Sequence, residues 1–299
     1  MILTFADGKQ IRGDLIKSAI LRSDLSPVPL TLEAEFRGGD DGMEKKLAEG
    51  QIILANGGDA LRIIQSEAVP TPTVQGDRMI SGLRVTALLD ACADAAYVRQ
   101  RAIIKENASL AGIYRAAGAT VKSVTSDFAV PRFYCLAGDT PTFSIARILQ
   151  EAGGAVRWKS GRLQFLRLAD IFAQAPVMTL PDNTSENVTS GFLERHAVPW
   201  FFSIDPSGAL IYGNRDKARA VGFAPFQDEQ RLRNMSRCLV LRKVTRAGFS
   251  GQVAAGDLVA YTGGAKLGVI TAAHVFESGT DDGGSQNSYT RLWVGSLEG

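Results

Sequence analysis

Residues 30–37 alternate strictly between apolar and polar positions. Leu30, Leu32, Ala34 and Phe36 fall on one face of an extended chain, and Thr31, Glu33, Glu35 and Arg37 on the other. That pattern predicts a half-buried antiparallel strand. Pro27 and Pro29 precede it, where proline cannot damage a ladder. Gly38 to Gly42, with Asp40 and Asp41 between, reads as a loop. Gln51–Leu54 and Ala60–Ile64 are two further apolar runs. Asn56, Gly57 and Gly58 separate them, a strong hairpin signal. Val69 to Thr73, with two prolines, reads as a stiffened extended segment.

The period then lengthens. Between Leu83 and Arg101 the apolar residues Val85, Leu88, Leu89, Cys92 and Ala96 stand at helical spacing, which predicts a helix. A shorter helix is expected over Leu110–Ala117, stopping at Gly118. The clearest helix runs from Pro141 to Ala152. Thr140 is its N-cap, Pro141 its first residue, and Gly153 the left-handed residue beyond its end. Its buried stripe is Ile145, Ile148, Leu149 and Ala152. A hairpin follows, Ala155–Trp158 and Leu163–Leu168, turning at Lys159 to Gly161. This helix-then-hairpin unit recurs in outline: residues 192–195 resemble residues 148–151, and each leads to a tryptophan, Trp200 or Trp158. The second hairpin turns at Asp205 to Gly208 and returns through Ala209–Tyr212.

The last 60 or so residues return to short periods. Strands are expected over Cys238–Val244, Leu258–Tyr261, Leu267–Phe276 and Tyr289–Val294. Gly256 and Asp257 open the second of these, and Gly263-Gly264 turns it. Asp281 to Gly284 reads as an exposed loop. Strands spaced so closely, with glycine turns, indicate a small barrel or sandwich. The order along the chain reads β, then α/β, then β, an α+β class.

Composition narrows the function classes. The 299 residues carry 33 Lys and Arg against 31 Asp and Glu, a net charge of +2. That balance disfavours binding driven by counterion release from nucleic acid. Hydrophobic residues are 45% and charged ones 21%, which fits a packed chain and not a disordered one. The 31 glycines suit many turns and short strands. The longest run without a charged residue, Ile171–Pro181, is eleven residues, too short to span a membrane. The first ten residues contain Asp7 and no apolar core, so no secretory signal is read there. Cys92, Cys135 and Cys238 are spaced neither for a metal nor for a disulfide framework, and read as small buried hydrophobes.

Candidate chemistry is sparse. The two histidines, His196 and His274, are expected to be structural: His196 at a helix end, where the dipole favours a cation, and His274 on an alternating strand, in a packing or interface role. Neither lies in a metal-binding or catalytic spacing. Ser250 is the nearest approach to a nucleophile elbow, and its spacing is wrong. No phosphate-binding glycine loop is present. Asp40-Asp41 and Asp281-Asp282 lack the alternating carboxylates of a calcium loop. Catalytic, cofactor-binding and metal residues are therefore all read as none, and no cofactor is expected. Basic groups stand at Arg99/Arg101/Lys105, Arg215/Lys217/Arg219, Arg231/Arg233/Arg237 and Arg242/Lys243/Arg246. The last two read either as solvated faces balanced by Asp228 and Glu229, or as an interface or channel wall.

The β, α/β, β order and the C-terminal residues resemble the baseplate hub proteins of contractile-tailed bacteriophages, the late-control protein D type, whose fold also forms the base of type VI secretion spikes. Gly256-Asp257-Leu258-Val259, then Val269 to Phe276 with His274, then Tyr289 to Trp293, look like that family's closing strands. Leu136 to Pro141, continuing to Leu163–Phe165, looks like its helix–hairpin modules. The loop before the last strand is longer than a tight turn.

The resemblance implies a non-enzymatic structural hub. It implies an α+β fold of two small antiparallel β-barrel tube domains, residues 1–82 and 216–299, with an intervening α/β region of helix–hairpin units over residues 83–215. It also implies a homotrimer whose three chains present six barrels in a pseudo-sixfold ring. Such a ring would meet the hexameric tail tube protein on one side and a trimeric central spike protein on the other, among other baseplate proteins. DNA would pass through its lumen without sequence readout, with no membrane insertion. The location implied is the virion tail, assembled in the host cytoplasm. Two other readings stand beside it: a tail-tube or other tail adaptor protein, and a tail-associated peptidoglycan hydrolase.

Overall fold

In the computed structural model, residues 1–37, 42–75, 78–182, 185–188, 191–215, 217–279 and 286–299 are described. The expected loops at Asp40-Asp41 and Asp281–Gly284 lie outside them.

The first 89 residues build β1 (Leu3–Phe5), β2 (Ile16–Asp24), β3 (Leu30–Phe36), a short helix α1 (Gly42–Lys46), β4 (Ile52–Ala55), β5 (Asp59–Gln75) and β6 (Arg78–Leu89). The alternation of β3 is real: Leu30, Leu32, Ala34 and Phe36 are all buried. The β4–β5 hairpin turns where expected, with Asn56 and Gly57 both at positive φ. The extended Val69–Thr73 segment lies in the outer part of β5, where Val69 and Pro70 pair with β6 before a register shift that ends at Val74.

The helix expected over Leu83–Arg101 is overturned. Residues up to Leu89 form β6, which pairs with β3 on one side and β5 on the other. Only one helical turn follows, α2 (Asp90–Ala93), and then a 3-10 turn over Asp94–Ala96. Val85, Ala87 and Leu89 also alternate, and all three are buried. Residues 83–88 of β6 thus lie between two strands, whereas a helix there would leave both neighbouring edges unpaired.

The middle of the chain contains β7 (Ile103–Ser109), α3 (Leu110–Ala116), β8 (Val124–Thr125), β9 (Ala129–Cys135), α4 (Pro141–Glu151), β10 (Gly154–Lys159), β11 (Arg162–Arg167), α5 (Leu168–Phe172), β12 (Met178–Leu180), β13 (Ser185–Asn187), α6 (Gly191–Ala197), β14 (Trp200–Ile204), β15 (Leu210–Tyr212), β16 (Val221–Phe223) and α7 (Glu229–Met235). The Ser109 hydroxyl caps α3 by accepting from the Gly112 N–H at 3.1 Å. Pro141 opens α4 as expected and Gly153 lies beyond its end at φ +70°, although the Thr140 side chain makes no capping bond. The helix–hairpin recurrence holds in order but not in packing. The β10–β11 hairpin packs on α4, the helix before it, while β14 and β15 pack on α7, the helix after them.

The chain closes with β17 (Cys238–Gly248), β18 (Leu258–Tyr261), β19 (Lys266–Glu277) and β20 (Asn287–Glu298). One sheet then joins both ends of the chain, in the order β1-β4-β5-β6-β3-β2-β19-β20-β17-β13, with β18 also on β19 and β12 on β18. The architecture is α+β and mostly antiparallel. Among the described residues, no pairing closes either end of this sheet into a barrel. Long β19 makes the connection: residues 266–268 pair with β18, and residues 271–277 pair with β2. The first six strands share a hydrophobic core with α3, α4 and the β10–β11 hairpin. A second core, built on Val259, Tyr261, Val269, Ala272, Leu292 and Val294, belongs to the C-terminal strands.

Candidate functional site

A dense polar cluster lies where the two halves of the sheet, at β2 and β19, meet the β10–β11 hairpin. Its centre is the Gly256-Asp257 pair. Gly256 takes φ +80°, and a Cβ there would stand 3.1–3.3 Å from side-chain carbons of Arg157, Leu166 and Leu25. Three segments thus converge on one glycine, which supplies both the left-handed backbone and the space. The Gly256 carbonyl accepts from Arg157 Nη1 at 3.1 Å and from Gln174 Nε2 at 2.9 Å.

Asp257 is the buried counter-charge. Its carboxylate accepts from Arg157 Nη1 at 2.9 Å, from the Lys159 ammonium, and from the Ala254 N–H at 3.1 Å. Arg157 is 8% exposed and also donates from Nε to Gln164 at 3.2 Å. A buried ion is tolerable only with such a full set of partners. Two more ties reach the first strands. The Ala255 N–H donates to Ser23 Oγ at 3.1 Å, and Trp158 Nε1 donates to Asp59 at 2.6 Å. The cluster is a mechanical joint, with every charge spent on another part of the chain.

His274 sits nearby on β19, 4% exposed. The Val253 carbonyl, 3.1 Å away, can only accept, so Nε2 carries the hydrogen. Nδ1 then accepts from the Thr290 hydroxyl at 3.1 Å, and Thr290 Oγ1 accepts from the Ser250 N–H at 2.9 Å. The chain of bonds pins the loop between β17 and β18 onto β19 and β20. Burial pushes the His274 pKa down, which keeps the ring neutral. Phe249 meets the ring edge-on at 5.8 Å. Ser250 therefore contributes a backbone bond to this network. A cleft of about 430 Å³ opens beside it, lined by Asn56, Trp158, Ser160, Gln252 and His274.

The other residues singled out in the sequence lie apart from this joint. His196 is exposed at the end of α6, its ring 4.2 Å from that of Phe192. Cys92 and Cys135 are buried, and Cys238 is half-buried, with all three thiols free. Burial pushes the Cys92 thiol up to about 12 and the Cys238 thiol up to about 11, so neither ionises near neutrality. Among the described residues, no three His, Cys, Asp or Glu side chains gather as a metal site.

The basic groups are largely paired. Arg231 and Arg233 bond Asp228 and Glu229 along α7, at 3.6 and 2.5 Å. Arg242 binds Glu298 at 2.9 Å, Lys243 binds Asp182, and Arg246 lies 3.8 Å over the Tyr289 ring. The α7 pairs lie on a solvated face with their own counter-charges, whereas Arg242 and Lys243 are largely covered and ion-paired. Sequence reasoning missed Arg157 and Lys159 as partners of Asp257, and Gln164 as a partner of Arg157. The available signal was Arg157 itself, a charge inside the apolar run Ala155–Trp158.

No protein-family model matches the sequence, and no curated protein matches it. Solved structures do match. A tail protein from Neisseria meningitidis MC58 superposes with a TM-score of 0.67 at 11% identity, covering 99% of this chain and 95% of that one. The 43 kDa tail protein of prophage MuSo2 from Shewanella oneidensis gives 0.62 at 14% identity, covering 98% and 97%. The E. coli c3393 protein, described as a type VI secretion component similar in structure to bacteriophage T4 tail proteins, gives 0.57 at 12% identity, covering 99% and 79%. At these identities it is the fold that is shared. From end to end, this chain has the fold of phage tail proteins and of a type VI secretion component, the fold to which its closing strands pointed.

Proposed function

We propose that the protein is a structural, non-enzymatic hub of a phage tail baseplate. Three copies form a pseudo-sixfold ring that joins a hexameric tail tube to a trimeric spike, with a lumen for DNA. One observation carries this reading. Among the described residues the large sheet splits into two sets of six strands, β1–β6 from one end of the chain and β12, β13 and β17–β20 from the other, joined through β2 and β19. Two six-stranded units per chain suit a threefold ring that must match a sixfold tube. Closed rings need heterologous contacts, and the outer strand β13 has no strand on its far side among the described residues, which leaves an edge for them.

In this reading each six-stranded set is one barrel-like tube unit, and residues 83–215 form the peripheral, spike-facing part between residues 1–82 and 216–299. The first unit's sheet extends to Leu89, and the middle region lends β12 and β13 to the second. The tail-protein fold of the structural neighbours supports a tail location. No helix among the described residues is long and apolar enough to cross a membrane.

Light scattering across a concentration series tests the proposal. The expected particle has three times the 32.0 kDa chain mass, and end-on images of it have a central hole. A chain that stays monomeric both alone and with its spike and tube partners overturns it.

A further inference from the structure

The three-stranded sheet β15–β14–β16 has one face against which no other strand or helix packs among the described residues. Its back face carries Phe201 and Ile211, which pack on Leu232 and Met235 of α7. Alternation sends Trp200, Phe202 and Ile204 of β14 to the front. The register sets Leu210 and Tyr212 opposite Ile204 and Phe202, and Val221 and Phe223 opposite Trp200 and Phe202. The rings confirm the shared face: Phe202 lies 5.2 Å from Phe223 and 6.4 Å from Tyr212, and Trp200 lies 6.1 Å from Tyr212. Ile204, Leu210, Val221 and Phe223 are each 45–54% exposed. A contiguous front of this kind marks an interaction site.

Resting on the hub reading, we propose that this face docks an apolar, acid-bearing segment of a different protein chain of the tail. The ring planes are tilted to one another by 36–56°. Such a surface interdigitates with protein side chains and offers no flat platform for successive bases or sugars. Both edge strands have three residues, too short for strand addition, so contact is through the face. Trp, Tyr and Arg together are also the composition of protein interface hot spots.

Charge selects the partner. Arg215 lies 4.1 Å over the Tyr212 ring and 5.7 Å from that of Trp200, and has no carboxylate partner among the described residues. Arg195 stands beside the sheet, its carbonyl accepting from the Ala220 N–H. Asp205, at the hairpin tip, spends its carboxylate on the N–H groups of Ser207 and Ala209. An acidic partner satisfies this cationic surface. The same face of a second copy does not, because it sets Arg215 against like charge, and a threefold ring never pairs a patch with itself.

Two measurements test the proposal. Anilinonaphthalene sulfonate, an aromatic anion, is the probe for the purified full chain. Arg215→Glu and Phe223→Asp are each expected to weaken its binding at least tenfold with circular dichroism unchanged, while Phe143→Ser, at an exposed site on α4, leaves binding as it was. Wild-type binding in both face variants overturns the assignment. In tail particles, a benzophenone amino acid in place of Phe223 is expected to cross-link an apolar residue of another protein, with Asp or Glu within a few positions. Cross-linking to a second copy, or none, overturns it. A chain absent from tail particles refutes the hub reading instead, and the probe titration then decides the surface alone.

Discussion

At the residue scale, the charges and hydrogen bonds at Asp257 and His274 make separable demands on stability. Removing the Asp257 carboxylate leaves Arg157 buried without its counter-charge. Asp257→Ala is expected to cost about 3–5 kcal/mol, and Asp257→Asn less because an acceptor oxygen remains. Urea denaturation midpoints measure both. His274 acts through its protonation. Its folded pKa lies below the ordinary 6.5, so on acidification the unfolded chain takes up the proton first. Stability is therefore expected to fall as pH drops below about 6.5 toward the folded value. His274→Gln should flatten that stretch of the profile, followed as thermal midpoint against pH. Equal slopes in both proteins would refute the buried neutral ring.

At the element scale, the closest backbone approach in the C-terminal strands is at Gly295 of β20. A Cβ there would lie 2.5 Å from the Val240 carbonyl oxygen and 2.9 Å from Ile270 Cδ1. Gly295→Ala is expected to destabilise by about 1–3 kcal/mol by overpacking between β17 and β19. A chemical denaturation curve checks it. Elements were legible in the sequence where local pattern and tertiary demand agree. The Leu30–Phe36 alternation, the Asn56-Gly57 turn and the Pro141–Gly153 helix signals each became the expected structure, because periodicity and turn chemistry act within a few residues. Leu83–Arg101 failed because its apolar residues satisfy two periods at once. The choice was made by the two strands that flank β6: β5, its hairpin partner, and β3, which is remote in sequence.

At the scale of the whole molecule, the two ends of the chain are joined across β2 and β19, and one carboxylate sits on that seam. Asp24 accepts from Thr271 Oγ1 at 2.5 Å, and burial raises its pKa despite that bond and nearby Arg22. The ionised form is thus disfavoured in the folded state. Its cost grows as pH rises from about the unfolded value of 3.8 through the folded one, and is fully present at neutrality. Asp24→Asn keeps the shape without the charge, and is expected to raise the urea midpoint at pH 7 and to change little below pH 3.8. A lower midpoint at pH 7 would mean that the charge itself tightens the seam.

The sequence by itself determined the α+β class, most strands, the two principal helices, and through Gly256, Asp257 and the closing strands the fold to which the chain is similar. These signals are local: spacing, turn residues and short runs. Only the tertiary structure decided that both ends of the chain form one sheet, that Asp257 is held by Arg157 and Lys159 roughly a hundred residues away, and that Ile204, Leu210, Val221 and Phe223 of β14–β16 share an exposed face. Such facts depend on which distant edges and charges meet. That is fixed by the packing of the whole chain, since no window of sequence contains both partners.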